Sequence, residues 1–218
     1  FTMKIFSAFS SDQCSKIISS ISEPDWIDGR QSATGSAAEK KNNWQIPHTA
    51  ESFKHVRPHL LRAMLNPMVL SYTFMRELLD PRLAKYGVGN SYGWHVDTAI
   101  LANKRTDLSF TLFLNEPSEY EGGGLTINRD GQLTEITGEA GQMVVYPSGL
   151  LHKVSPVTSG TRCVIVGWIN SNIKLEEHRQ RLFAFKNTCS RLIDHGIPPA
   201  EKEILNHTYY FTIYNNSE

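Results

Sequence analysis

This sequence predicts a mainly β fold with flanking helices, closed as a double-stranded β-helix (jelly roll), on three observations. The middle of the chain is a run of short β-rich segments: Leu108 to Leu114, Gly124 to Asn128, Leu133 to Thr137, Gln142 to Tyr146 and Thr161 to Ile169. The gaps hold turn chemistry, such as Asn115-Glu116-Pro117, Gly122-Gly123-Gly124, Asp130-Gly131 and Ser159-Gly160. Short strands punctuated this way build sandwiches and barrels rather than parallel α/β sheets. Finally, His95-Val96-Asp97 falls on an early strand and His152 on a late one, and a double-sheet jelly roll brings such ends together.

Taken in order, Met3 to Phe6 reads as a strand. A helix capped by Ser10 or Ser11 follows, with Cys14, Ile17, Ile18 and Ile21 at helical spacing, and Pro24 ends it. Gly29 to Asn43 is polar and turn-rich, and Asn42-Asn43-Trp44-Gln45 begins an extended segment. From Glu51 to Leu65, Phe53, Val56, Leu60, Leu61 and Met64 form a helical stripe, and Pro58 inside it predicts a kink or a later start. Asn66-Pro67 closes that element, and Met68 to Met75 reads as a strand leading toward the site. After Asn172 the pattern returns to helix, over Leu175 to Ile193 and Pro199 to Tyr210, expected to pack outside the sheet. The 218 residues suit one domain: support from 1–80, a jelly-roll core over 81–172 and a helical extension over 173–218.

Composition narrows the partners. Twenty-two basic residues balance 22 acidic ones, so no net field draws the chain to nucleic acid or an acidic membrane. The longest apolar runs, such as Met143-Val144-Val145-Tyr146, are too short to span a bilayer, and no leader pattern opens the chain. Phe1-Thr2-Met3-Lys4 suggests Met3 as the native initiator after two vector-derived residues. Three scattered cysteines, Cys14, Cys163 and Cys189, suit a reducing cytoplasm better than a disulfide framework. Nothing in the sequence decides the oligomeric state.

The chemistry concentrates in His95-Val96-Asp97, His152 and Arg162. Two imidazoles and one carboxylate are the donor set of a facial iron site that leaves coordination positions open. On a strand, residues two apart share a face, so His95 and Asp97 would lean onto one ion. Arg162 follows His152 on the next strand, and a guanidinium matches a carboxylate bidentately.

Four blocks extend this pattern: Tyr86-Gly87-Val88-Gly89 with Tyr92-Gly93-Trp94-His95-Val96-Asp97; Arg105-Thr106-Asp107-Leu108-Ser109 with Thr111-Leu112-Phe113-Leu114; Tyr120-Glu121-Gly122-Gly123-Gly124-Leu125; and Tyr146-Pro147, Leu151-His152-Lys153-Val154, Pro156-Val157-Thr158 and Gly160-Thr161-Arg162. Together with Trp26 to Arg30 and Lys41 to Asn43, they resemble the PKHD-type hydroxylases, bacterial and phage Fe(II)- and 2-oxoglutarate-dependent dioxygenases related to prolyl 4-hydroxylase. The likeness runs to about Ile193.

The resemblance implies that His95, Asp97 and His152 hold Fe(II), and that Arg162, with Tyr86, binds the distal carboxylate of 2-oxoglutarate. O2 is then the oxidant and L-ascorbate the reductant that recovers stranded iron. Where some relatives carry a tyrosine donor, this chain has Phe113, which shifts the burden to Arg162, Tyr86 and Thr111. Related halogenases lack the carboxylate that Asp97 supplies, so hydroxylation is the implied outcome. A peptidyl proline is the leading substrate, with a free amino acid or other small molecule as the rival. Tyr92, Trp94 and Tyr120 are candidates to stack on a pyrrolidine ring, and Asn42 and Asn43 to border the entrance.

Plainer readings stand beside these. His48, His55, His59, His178, His195 and His207 read as ordinary core or surface histidines, since His55 and His59 lack the adjoining glutamate of a zinc protease. Gly122-Gly123-Gly124 reads as a tight turn, not a phosphate loop, because no Lys-Ser/Thr follows. Trp168 shares the Arg162 face by alternation and Cys163 the opposite one. A cupin-like metal protein and a non-catalytic 2-oxoglutarate sensor stay open as other functional classes.

Overall fold

Alternation along the central strands sorts their side chains between two cores. Leu83, Leu112, Val145 and Ile165 join a cluster with the helices, while their neighbours Ala84, Phe113, Val144 and Val164 join a second cluster on the other face. A sheet buried on both sides results, and strand Leu108–Phe113 shows it best, with every residue buried. The structure, a computed structural model, describes residues 3–33 and 35–217. Phe1 and Thr2, read above as vector-derived, lie outside them.

The larger sheet has seven antiparallel strands in the order Lys4–Ser7, Gln142–Pro147, Leu108–Phe113, Arg162–Ser171, Met75–Tyr86, Trp44–Pro47 and Ile27–Asp28. A five-stranded antiparallel sheet faces it: Gln132–Ile136, Leu125–Arg129, Leu151–Val154, Ser91–His95 and Lys41–Asn42. Leu125, Ile127 and Val154 from the smaller sheet meet Ala84, Tyr86, Phe113, Val144 and Val164 from the larger. This is the jelly roll that the turn-punctuated strands predict.

Helices Ser11–Ser19 and Phe53–Met64 cover the outer face, burying Cys14, Ile17, Phe53, Val56, Leu60 and Met64. Ser10 and Gln13 form a capping box on the first, and Pro58 lies inside the second. Asn66-Pro67 does more than close that second helix. The Asn66 side chain accepts a hydrogen bond from the Met68 amide, and Pro67 occupies the first turn of a new helix, Pro67–Thr73. The strand expected over Met68 to Met75 is therefore helical up to Thr73. Phe74 then turns left-handed, at φ 48, and a strand starts at Met75. An apolar run this short fits either period, and its cap decides.

That strand, Met75–Tyr86, is long and crosses residue 80, yet it has no clear sequence signature because Pro81 and several charges interrupt it. Its register against Arg162–Ser171 slips between Val166 and Trp168. Leu79 pairs with Trp168 and Arg82 with Val166, so Asp80 and Pro81 together oppose Gly167. A bulge is where a strand tolerates a residue that lacks an N–H. At the far end, helices Glu176–Asp194 and Pro199–Asn216 bury Leu182 and Tyr209 with Phe74 and Ile173, outside the sheets as expected. The last helix runs beyond Tyr210. Among the described residues no helix is long and apolar enough to cross a membrane.

Candidate metal centre and its cavity

His152 and His95 sit directly across from one another on paired strands of the smaller sheet. The strand carrying His95 ends there, so Asp97 does not lie on it as expected. Its carboxylate returns from the following loop, 4.0 Å from His95 Nε2 through Oδ1 and 3.7 Å from His152 Nε2 through Oδ2. One donor atom from each of the three residues lies within 4.8 Å of the others. No second group of this kind occurs among the described residues: His55 and His59 are exposed on their helix, and His48 pairs with Asp80 at 3.0 Å.

Backbone carbonyls set the imidazole tautomers. His95 Nδ1 lies 2.8 Å from the Gly93 carbonyl and His152 Nδ1 2.9 Å from that of Leu150. A carbonyl only accepts, so both Nδ1 atoms carry the hydrogen and both Nε2 lone pairs face the cavity. Burial first, and then the neighbouring His152, pushes His95 down to about 4, which keeps it a neutral donor. Tyr92 stacks on His95 with centroids 3.5 Å apart, and Tyr146 meets His152 edge-on at 5.2 Å. Ser109 Oγ lies 2.6 Å from Asp97 Oδ2 and 2.8 Å from Ser148 Oγ. Having one hydrogen, Ser109 gives it to the carboxylate and accepts from Ser148.

Deeper in the same cavity, Arg162 opens its strand beside Tyr86, is 1 % exposed, and keeps Nε and Nη2 buried without a hydrogen-bond partner. Its guanidinium lies 5.1 Å from the Tyr86 ring and 5.4 Å from that of Phe113. A buried, unpaired cation costs several kcal/mol unless an anion joins it. Gly122 and Gly123 form the expected tight turn at positive φ, and a Cβ on Gly123 would lie 2.9 Å from Arg162 Cδ.

The cavity holds about 440 Å³. Tyr86, Tyr92, Thr111 and Trp168 line it, Trp168 by unbroken alternation from Arg162 along its strand. Trp94 and Tyr120 do not: the Trp94 ring carries Lys153 Nζ at 5.0 Å, and Tyr120 is buried outside the lining. Cys163 points into the opposite core, as alternation requires. Asn42 and Asn43 do not border the entrance either. Asn43 is buried against Gly29, and the Asn42 side chain bonds to Gly89 and Asn90 on the exposed side. The residue before them lines the cavity instead. Lys41, with Gln45, Arg82, Ser109 and Tyr146, belongs to walls that the sequence reading missed. Only Ser109 carried a local signal, its alternation with Thr111.

Residues 81–170, which carry His95, Asp97, His152 and Arg162, match the 2OG-Fe(II) oxygenase superfamily. A PKHD-type hydroxylase of Prochlorococcus marinus is 40 % identical over 81 % of this chain and 81 % of its own length. The chain belongs to the PKHD-type hydroxylase family. A second member, from Hyphomonas neptunium, is 38 % identical over 89 % of this chain and 88 % of its own. The PKHD-type chain also shares its fold with a Pseudomonas putida prolyl-4-hydroxylase, at a TM-score of 0.53 and 20 % identity over 78 % of this chain and 92 % of that one. A Trichoplax adhaerens prolyl hydroxylase, solved with a hypoxia inducible factor peptide fragment, matches at 0.54 and 13 % identity over 78 % and 84 %. As a PKHD-type oxygenase, the protein works with Fe(II), 2-oxoglutarate and O2. The residues fit that set: three convergent donors suit the metal, and a buried guanidinium with two unpaired nitrogens suits a carboxylate.

Proposed function

We propose that this hydroxylase acts on an unactivated C–H of a prolyl residue in a peptide or protein, within one catalytic domain. His95, Asp97 and His152 hold the iron, and Arg162, helped by the Tyr86 hydroxyl, holds the distal carboxylate of 2-oxoglutarate. The observation carrying this reading is the convergence of the three donors in the same buried cavity as a guanidinium with two buried, unpaired nitrogens. With both groups bound, O2 is consumed as 2-oxoglutarate yields succinate and CO2, and one oxygen atom enters the substrate C–H.

The protein's part is positioning and exclusion. The carbonyls of Gly93 and Leu150 each hold an Nδ1 hydrogen and so fix both rings with Nε2 aimed inward. Ser109 holds the Asp97 carboxylate through Oδ2, with Oδ1 toward His95 and Oδ2 toward His152. Tyr92 and Tyr146 cover the imidazoles and shield them from water. Trp168 presents an apolar wall to the substrate side. Support for a prolyl substrate is the fold shared with two solved prolyl hydroxylases. Ascorbate serves as the external reductant for iron left oxidised.

The experiment adds 2-oxoglutarate to the anaerobic iron protein and then supplies O2 with proline-rich peptides. A visible charge-transfer band, followed by peptide-dependent succinate release and a hydroxylated product, is expected. A band without succinate from any peptide would refute prolyl hydroxylation, and no band would refute the whole assignment.

A further inference from the structure

The cavity holds a second buried cation that no carboxylate pairs with directly among the described residues. Lys41 is 7 % exposed, lines the cavity, and sits on the strand edge beside Tyr92. Its Nζ donates to Ser32 Oγ at 2.8 Å and lies 4.9 Å from the Tyr92 ring centroid. An ammonium has three hydrogens to donate, and no carboxylate stands within ion-pair distance of this one among the described residues. The other cations are accounted for. Arg82 gives its guanidinium to Asp80 and Gln45. Metal and Arg162 together would be balanced by Asp97 and the two carboxylates of 2-oxoglutarate. Lys41 is left over.

The walls next to it leave room for an anion. Ser32, Ala33 and Ala37, all small, line the cavity on the Lys41 side, and Trp168 lies beyond Arg82. Burial opposes the charged form of Lys41, yet the amine, held at about 8, stays protonated at neutral pH. A charge kept at that cost and aimed into a reaction cavity is a ligand site in need of its counter-ion.

We propose that Lys41 anchors a carboxylate of the substrate. This rests on the hydroxylase reading above. The carboxylate belongs to a free amino acid or to the terminus or acidic side chain of a peptide; the chemistry at Lys41 is the same.

Two kinds of probe separate these sources: the common amino acids paired with their carboxamides, and peptides ending in the same residue with a free or an amidated terminus. Each is added to the anaerobic enzyme holding Fe(II) and 2-oxoglutarate, and perturbation of the charge-transfer band is titrated. At least one acid is expected to bind about tenfold more tightly than its amide, the loss expected for one charge-assisted hydrogen bond. In Lys41→Met that preference should fall below about threefold, and in Lys41→Arg, which keeps the charge, it should persist in part. Equal binding of acids and amides, no acid perturbing the band, or an unchanged preference in Lys41→Met would overturn the proposal. So would a Lys41→Met enzyme whose 2-oxoglutarate half-saturation rises about tenfold, since Lys41 would then serve the co-substrate. Absence of the band from the unaltered protein would overturn the hydroxylase reading itself, and this inference with it.

Discussion

Lys41→Met should make the metal-free protein more stable, although it removes a hydrogen bond and a ring contact. Burial, and next the charge of Arg82, hold the Lys41 amine at about 8 against an ordinary 10.5, with Asp97 and Asp80 acting the other way. That difference corresponds to about 3 kcal/mol lost in folding the charged form. Truncation forfeits the Ser32 hydrogen bond and the Tyr92 contact, together about 1–2 kcal/mol. The net expectation at about pH 7 is a gain of about 1–2 kcal/mol. The sign reverses with pH for a definite reason. Between 8 and 10.5 the folded chain has released a proton that the unfolded chain still binds, so wild-type stability rises through that window. Below 8 both states are protonated and the full penalty is present. Urea unfolding, followed by tryptophan fluorescence at about pH 7 and about pH 10, reads the difference, and contributions from other groups cancel between the two proteins. A variant less stable than wild type at the lower pH, or a gap identical at both, would refute the reasoning.

Arg162→Met removes a guanidinium with buried, unpaired nitrogens, so the fold should survive while 2-oxoglutarate half-saturation rises about a hundredfold or more; titration of the charge-transfer band checks this, and unchanged half-saturation would place the co-substrate elsewhere. Ser109→Ala frees the Asp97 carboxylate from its 2.6 Å contact, and Co(II) titration should show metal binding weakened about tenfold to a hundredfold. Gly123→Ala should cost about 1–2 kcal/mol for its left-handed backbone, at φ 64. Its added carbon also presses on Arg162 Cδ, so 2-oxoglutarate binding should weaken while metal affinity holds.

Much of this molecule was legible before folding was considered. Strand periods punctuated by glycine and Asp-Gly turns specified a two-sheet β fold, because a period of two and a tight turn are local properties of the backbone. His95, Asp97, His152 and Arg162 stood out by residue type and spacing. Where local signals were balanced, the reading failed. Met68 to Thr73 fits strand or helix equally until Asn66 caps it, and Met75–Tyr86 hides its strand behind Pro81, which a bulge opposite Gly167 accommodates.

Sequence alone determined which donor atoms exist and that the chain would pleat and turn. Tertiary structure decided that Asp97 reaches the histidines from a loop, that Trp94 and Tyr120 stay out of the cavity, and that Lys41 enters it. The physical reason is that burial and charge balance are set by neighbours remote in the chain. In the sequence Lys41 shows only as part of the family-like block Lys41 to Asn43, and the packing of Ser32, Tyr92 and Arg82 around it is what makes it a buried cation with no carboxylate paired to it.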